Sequence, residues 1–111
     1  MVTQYAPNQG DIVYLDFDPQ AGREQKGRRP CLIVSNSSFH KRTKLAMVCP
    51  ITSTSSNFPT HIALDATTRT SGEIMCEQAK FLDIVARNAS FIETVPSDIL
   101  DEAIDLAGSW S

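Results

Sequence analysis

The chain has 111 residues, of which 41% are apolar, and a net charge of −3. This size and composition are typical of one globular domain, here spanning residues 1–111, and exclude a disordered chain. No apolar run reaches the roughly 18 residues of a membrane-spanning helix, and the N-terminus lacks the basic start and apolar stretch of a signal peptide. We therefore expect a cytoplasmic protein without membrane contact.

The first half of the chain predicts three strands. Residues 11–17 (DIVYLDF) are rich in β-branched and aromatic side chains and run into the turn-forming DPQAG. Residues 18–29 have no apolar periodicity, which predicts an exposed loop, whereas 30–35 (PCLIVS) are an apolar run typical of a buried strand. A polar connection at 36–44 then leads to a strand at 45–52 (LAMVCPIT).

The second half predicts more short strands and one helix. Residues 61–65 and 89–95 each fit a strand, and 73–84 fit one long bent strand or two short ones. Apolar residues recur at helical spacing between Pro96 and Gly108, which predicts an amphipathic C-terminal helix. Because no helix separates the early strands, the predicted fold is mainly β: a small antiparallel sheet or barrel of five to seven strands with the helix across an opening.

The cysteines and histidines indicate no metal site. Cys31, Cys49 and Cys76 are widely spaced, each lies in an apolar segment, and none has the spacing of a zinc site. We expect three buried, reduced thiols and no metal or other cofactor. His40 and His61 belong to no hydrolase motif, and we expect both at the surface.

Positive charge is concentrated in one segment of this acidic chain. Residues 23–44 hold seven of the ten Lys and Arg residues and a single acid, Glu24, so this segment carries +6 and the remainder −9. Such asymmetry favours a local anion-binding site. The alternative is a solvated charge run in which Glu24 merely pairs with Arg28 or Arg29.

A carboxylate, guanidinium groups and the hydroxyls of residues 50–56 (PITSTSS) are the groups needed for RNA cleavage without a metal. In that reaction the 2′-OH attacks the adjacent phosphate, a base accepts its proton, cations stabilise the charge on phosphorus, and an acid protonates the leaving 5′-oxygen. Only RNA has the 2′-OH, so DNA is not a substrate. No nucleotide-binding motif is present.

Several segments together resemble the MazF/PemK family of toxin endoribonucleases. They are GDIVYLDFDP (10–19), GREQKGRRP (22–30), CLIVS (31–35), VCPITS (48–53), FPTHIAL (58–64) and EQAKFLD (77–83). The resemblance implies an SH3-like antiparallel β-barrel of the MazF/CcdB type with a C-terminal α-helix. It also implies a homodimer that cuts single-stranded RNA at specific sequences without metal, leaving a 2′,3′-cyclic phosphate and a 5′-OH. Such a toxin inhibits translation and growth, and a MazE-like antitoxin with an acidic tail silences it.

The resemblance also assigns roles to individual residues. Arg29 would stabilise the phosphate and serve as a proton donor, Glu24 would act as the base or orient Arg29, and Thr52 would bond a phosphate oxygen. Without the resemblance, Thr52 fits an ordinary β-branched strand residue whose hydroxyl makes its hydrogen bond within its own loop. The expected RNA-binding residues are Phe17, Arg23, Lys26, Arg28, Ser53 and Gln78. For Phe17, which would stack on a base, the alternative is a place in the apolar core.

Two other functions remain open at this point. One is a CcdB-like inhibitor that traps DNA gyrase and cuts nothing, although the E-Q-x-G-x-R-P loop is absent from CcdB proteins. The other is a barrel that keeps the RNA groove without turnover. The RNA word does not follow from the sequence, because we expect it to depend on the loops at 18–28 and 53–57.

Overall fold

The computed structural model describes residues 6–16 and 28–108, and within these ranges the chain forms seven strands and two α-helices. The strands are β1 (Asp11–Asp16), β2 (Arg28–Ile33), β3 (Leu45–Thr52), β4 (His61–Ala63), β5 (Glu73–Met75), β6 (Lys80–Asp83) and β7 (Ser90–Thr94). The helices are α1 (Ser37–Thr43) and α2 (Ser97–Gly108). Neither of these described helices has the length and apolar character needed to cross a membrane.

The strands pair antiparallel in the order β4-β5-β3-β2-β1-β7, and β6 also pairs with β3. The outer edge of β3 is divided, since residues 45–48 pair with β6 and residues 51–52 pair with β5. No described pairing joins β4 to β7, so the barrel-like sheet is not closed there. The expected mainly β, antiparallel fold with a C-terminal helix is confirmed.

Both faces of the sheet are packed with apolar side chains. In β2, Leu32 belongs to the cluster beneath α2, whereas Cys31 and Ile33 belong to the cluster on the opposite side. Alternate strand residues point to opposite faces, so a strand buried on both faces has the continuous apolar run seen at 30–35. The three cysteines are buried and free, as expected, and burial raises the pKa of Cys31 to about 12.

The predicted C-terminal helix is confirmed as α2. Its residues Ile99, Ala103 and Ala107 are buried against the sheet. Leu100 packs over Gly10, where an added Cβ would lie 3.2 Å from Leu100 Cδ2 and where φ is +95°. Gly10 therefore lets the chain pass closely beneath α2 before β1 begins.

Residues 36–44 connect β2 to β3 as expected, but the prediction that no helix separates the early strands is wrong, because this segment contains α1. The side chain of Asn36 accepts a hydrogen bond from the Phe39 N–H at 3.1 Å and caps the helix. Lys44 ends the helix in the left-handed conformation, with φ 64°. The helix has seven residues, too few for the periodicity that indicates a helix in a sequence.

The expectation that His40 lies at the surface is also wrong. His40 is buried, with Nδ1 3.0 Å from the Pro7 carbonyl oxygen and Nε2 2.7 Å from Ser35 Oγ. Ser35 Oγ also accepts the Met47 N–H at 2.9 Å. A neutral imidazole with its proton on Nδ1 satisfies all of these groups, so His40 connects the N-terminal segment to α1 and β3.

Two strand boundaries differ from expectation for reasons of pairing. The predicted loop 18–29 extends too far, because Arg28 and Arg29 pair with Asp16 and Leu15 as the first residues of β2. Residues 73–84 form two strands, which was one of the two alternatives, and a 3₁₀ turn at Cys76–Gln78 separates them.

Candidate active site

The beginning of β2 and the end of β3 bring Arg29 beside Thr52. The antiparallel register of β2 and β3 ends at Cys31 and Pro50, and its continuation by two residues on each strand leads to Arg29 and Thr52. A cavity of about 260 Å³ at this position is lined by Arg29, Pro30, Ile51, Thr52, Ser53 and Ser71. Three of the expected site residues, Arg29, Thr52 and Ser53, therefore share one cavity.

The neighbouring arginines of β2 have different environments. The Arg28 guanidinium donates hydrogen bonds to Asp16 Oδ1 at 2.8 Å, Asn88 O at 2.9 Å and Ser90 Oγ at 2.8 Å. Within the described part of the chain, the Arg29 guanidinium makes no such bond, and it borders the cavity instead. Successive strand residues face opposite sides of a sheet, which explains the difference.

Asp16 holds the Arg28 side chain in place. Hydrogen bonds from Asn88 and from Arg28 keep the pKa of Asp16 below its usual value, so the carboxylate is ionised near neutral pH. The bonds of Arg28 to β1, β7 and the turn before β7 compete with any phosphate contact. The role of Arg28 in RNA binding remains a prediction.

The hydroxyl of Thr52 is positioned by its own loop and by Gly72. Thr52 Oγ1 accepts the Thr54 N–H at 3.2 Å, which leaves the hydroxyl proton available for donation. Gly72 packs directly on the Thr52 backbone, because an added Cβ would overlap the Thr52 carbonyl oxygen, and φ at Gly72 is +119°. This close approach also brings Ser71 to the cavity, a residue that sequence reasoning missed.

The other expected site residues do not line this cavity or cannot be described. Gln78 is exposed in the 3₁₀ turn after β5. Phe17, Arg23, Glu24 and Lys26 lie outside the described residues. The strand ends on either side of them, Asp16 and Arg28, are paired neighbours in the sheet.

An open groove of about 670 Å³ adjoins the cavity. It is lined by Tyr14, Pro30, Arg69, Thr70, Ser71, Phe91 and Ile92. Pro30 and Ser71 border both spaces, so the two are neighbours. The rings of Tyr14 and Phe91 are 43% and 53% exposed, which gives the groove an aromatic surface at one end.

A second polar cluster lies beside Thr52 and was not predicted. His61 Nδ1 is 2.8 Å from Glu73 Oε1, and His61 Nε2 is 2.9 Å from Glu77 Oε2. Thr60 Oγ1 donates to Glu77 Oε1 at 2.7 Å. The expectation of a surface position for His61 is wrong, since its side chain is only 9% exposed. We call His61, Glu73 and Glu77 the His61 cluster.

The His61 cluster perturbs the titration of its members. Hydrogen bonding to His61, opposed by burial and aided by the Ser56 and Asn57 N–H groups, lowers the pKa of Glu73 to about 2. Burial alone would lower the pKa of His61, but the bonds to Glu73 and Glu77 outweigh burial and raise it. The sequence signal for the cluster was a glutamate at the start of the apolar segment EIMC, in the strand that follows the one beginning with histidine.

Comparison with known proteins identifies the family. Residues 8–105 match the model of the PemK-like, MazF-like toxins of type II toxin–antitoxin systems. The chain is 38% identical over 100 residues to the endoribonuclease PemK of Escherichia coli, covering 86% of this chain and 74% of that protein. It is 33% identical over 100 residues to the endoribonuclease toxin MazF of Escherichia coli K12, covering 90% and 89%.

The fold leads to the same family. A crystal structure of MazE–MazF from Deinococcus radiodurans superposes with a TM-score of 0.88 at 36% identity and covers 96% of each chain. MazF alone from the same organism superposes with a TM-score of 0.85 at 36% identity, covering 96% of this chain and 97% of that one. The chain therefore belongs to the PemK-like, MazF-like toxin family of type II toxin–antitoxin systems, whose relatives named above are endoribonucleases.

Proposed function

We propose that this protein is a sequence-specific, metal-independent endoribonuclease and the toxin of a type II toxin–antitoxin pair. The observation that supports this best is the cavity shared by Arg29, Thr52 and Ser53. It combines a guanidinium without an intramolecular partner in the described chain with hydroxyl groups, at the scale of one phosphate group. Relatives with more than 30% identity carry the name endoribonuclease.

In the proposed reaction, the 2′-oxygen of the RNA attacks the adjacent phosphorus and the bond from phosphorus to the 5′-oxygen breaks. Arg29 stabilises the extra negative charge on the phosphate oxygens and protonates the departing 5′-oxygen. Thr52, with Ser53, donates a hydrogen bond to a phosphate oxygen. Glu24 accepts the 2′-OH proton and orients Arg29, and transfer of this proton from Glu24 to Arg29 restores both groups. The products are a 2′,3′-cyclic phosphate and a 5′-OH.

The expected contributions to the rate favour a site that acts mainly by stabilising negative charge. A positioned acid or base contributes about 10²–10⁴-fold to a rate, and donors aimed in advance at developing charge contribute more. Arg29 is well suited to stabilise this charge, because a guanidinium is charged in the resting site at any relevant pH and can bond two phosphate oxygens at once. No described carboxylate neutralises it first.

The proposal extends to partners and location. We propose a cytoplasmic homodimer that binds single-stranded messenger RNA, stops translation and growth, and is silenced by a MazE-like antitoxin. The superposition on MazF chains from MazE–MazF complexes supports the antitoxin assignment. The expected acidic tail of that antitoxin would cover the cavity and exclude RNA by occupying Arg29.

A direct test is to incubate the purified protein with a long single-stranded RNA in EDTA. We expect discrete fragments with 5′-OH and cyclic phosphate ends, and no cleavage of DNA of the same sequence. Arg29→Ala, purified in the same way, is the control for a contaminating nuclease and should leave the RNA intact, whereas Arg42→Ala, in the exposed part of α1, should cut at the wild-type sites. Intact RNA in EDTA, or cleavage only after Mg²⁺ is added, would contradict the proposal.

A further inference from the structure

We propose that Glu73 and His61 are positioning residues that hold segment 53–57 in place and thereby determine which RNA sequence reaches Arg29 and Thr52. The inference rests on the proposed ribonuclease function. Neither of these two side chains lines the cavity, but both contact the segment that leads out of it.

Glu73 receives hydrogen bonds almost entirely from segment 53–57. Its carboxylate accepts the Ser56 N–H at 3.3 Å, the Asn57 N–H at 3.4 Å, and the hydroxyls of Ser55 at 3.5 Å and Ser56 at 3.3 Å. Glu73 is only 4% exposed. A buried carboxylate is tolerated when donors surround it, and here these donors come from one segment and from His61.

Segment 53–57 has few other anchors. Its residues are exposed and belong to no strand, and Asn57 adopts a left-handed conformation with φ 55°. Without apolar burial, the conformation of such a segment depends on its polar contacts. Apart from the Thr54 N–H bond to Thr52 Oγ1 and a contact of 3.3 Å between Ser56 Oγ and His61 Nδ1, those contacts converge on Glu73, so the carboxylate determines the path of the chain from Ser55 to Asn57.

Glu73 connects the segment to the cavity through the backbone as well. It is the antiparallel partner of Thr52 in the pairing of β3 with β5. The preceding residue, Gly72, packs against the Thr52 carbonyl. One residue therefore pairs with Thr52 and holds the chain three to five residues beyond it, and a shift at Glu73 moves both sides of Ser53.

His61 holds Glu73 from the other side. An imidazole can donate from both nitrogens only when it is protonated, and here each nitrogen faces a carboxylate, Glu73 on β5 and Glu77 in the 3₁₀ turn. The Phe58 ring packs against the imidazole, with 5.1 Å between the ring centroids. The Cys76 thiol, in the same 3₁₀ turn as Glu77, is the other described titratable group of that turn near His61. On α2, Glu102 acts on Cys76.

The decisive variants are Glu73→Gln, which keeps the shape but removes the charge, and His61→Gln. The matched control is Asp83→Asn, because Asp83 Oδ1 also accepts two backbone N–H groups, from Val85 and Ala86, near the opposite end of β3. All proteins receive the same long RNA, and their cleavage sites are mapped. Amide hydrogen exchange of the same samples measures anchoring without requiring activity.

We expect Glu73→Gln to accelerate exchange at Ser56 and Asn57 by about tenfold or more, which corresponds to about 1.4 kcal/mol, and to leave Val85 and Ala86 unchanged. Asp83→Asn should show the reverse pattern. The cleavage map should change in both cluster variants, with kcat/KM at the wild-type sites falling about tenfold, and should stay the same in Asp83→Asn. In the wild type, kcat/KM at those sites should fall as pH rises through the titration of His61, and in His61→Gln it should not.

The outcomes separate the two proposals. If the wild-type protein cuts no RNA, the proposed function fails and the role in RNA selection fails with it. If the wild type cuts RNA and both cluster variants keep its cleavage map and kcat/KM, the inference alone is overturned, even where thermal stability falls. Unchanged exchange at Ser56 and Asn57 in a folded Glu73→Gln protein would also overturn it.

Discussion

At the scale of single residues, two arginines that are neighbours in the chain have different surroundings. Arg28 is bonded to Asp16, Asn88 and Ser90, whereas Arg29 borders the cavity without a described partner. Both belong to the same basic motif, and the alternation of a strand gives them different surroundings. The motif therefore contains an arginine that supports the sheet and an arginine available to a substrate.

Arg29→Ala should lower kcat/KM for RNA by about 10²-fold or more, because a preorganised donor at the developing charge is lost. Its unfolding midpoint should stay close to that of the wild type. Arg28→Ala should instead lower the midpoint, because Asp16 and the carbonyl oxygen of Asn88 lose their donor. Cleavage assays and thermal unfolding of the two variants check this, and retained cleavage by Arg29→Ala would refute the assignment of the cavity.

Gly72→Ala should destabilise the protein and abolish cleavage together. The new Cβ would overlap the Thr52 carbonyl oxygen, and a φ of +119° is strained for any other residue by about 1–3 kcal/mol. Gly108→Ala is the matched control, because nothing lies within 4 Å of the added atom. Chemical denaturation measures the difference, and equal stabilities for the two variants would disprove the close approach.

At the scale of elements, short strands bring distant residues into one polar cluster. Ile62 lies opposite Ile74 in the pairing of β4 with β5, and this register brings His61 within reach of Glu73 and Glu77. The cluster connects β4, β5 and the 3₁₀ turn. Its charges therefore contribute to the stability of this end of the sheet in a pH-dependent manner.

The stability contributed by His61 and Glu73 should be greatest between about pH 4.5 and 6.5. Glu73 has a pKa lowered from 4.5 to about 2, so its contribution is complete above pH 4.5 and is lost as pH falls toward 2. His61 has a raised pKa, so its contribution is complete below 6.5 and is lost as pH rises through the folded-state value.

Denaturation of the wild type and Glu73→Gln at several pH values between 2 and 9 measures this dependence. The difference in unfolding free energy between the two proteins should pass through a maximum in that window. The difference cancels the acid loss from other carboxylates with lowered pKa values, such as Asp16, Asp65 and Glu93. A constant difference over the whole range would mean that the cluster is not ionised as described.

The sequence predicted the elements whose signals are local. β3 matches the predicted 45–52, and α2 follows the helical spacing after Pro96. The helix α1 was missed because the seven residues that follow its capping residue, Asn36, are too few to show a helical periodicity. The His61 cluster was missed because strand pairing, not sequence spacing, brings His61 to Glu73. The meeting of Arg29 and Thr52 was expected only from the resemblance, and the register of β2 and β3 supplies its physical reason.

At the scale of the whole molecule, the described basic residues of segment 23–44 are divided between two surfaces. Arg29 lies at the end of β3 that holds the cavity, and the exposed Lys41, Arg42 and Lys44 lie at the other end, on and after α1. The eight residues of β3 separate the two ends by about 23 Å at the rise of a strand. This exceeds the Debye length of about 8 Å at physiological ionic strength.

The combined variant Lys41→Ala, Arg42→Ala, Lys44→Ala should therefore cut a short RNA substrate with kcat/KM within about twofold of the wild type, because screening isolates α1 from the cavity. Initial rates at physiological and at low salt measure this, with Arg29→Ala as the inactive reference. A loss of tenfold or more at physiological salt would show that α1 belongs to the RNA surface.

The three buried thiols make the native protein a suitable host for a single surface label. Cys31, Cys49 and Cys76 are all fully inaccessible to solvent, so a thiol-specific dye would react with one cysteine introduced at an exposed position and not with the native ones. Because these thiols are buried, the rate at which each native cysteine is alkylated would measure how often the structure around it opens. Each native cysteine that reacts would record a moment when the sheet, the 3₁₀ turn or α2 had separated, and its identity would tell which layer opened.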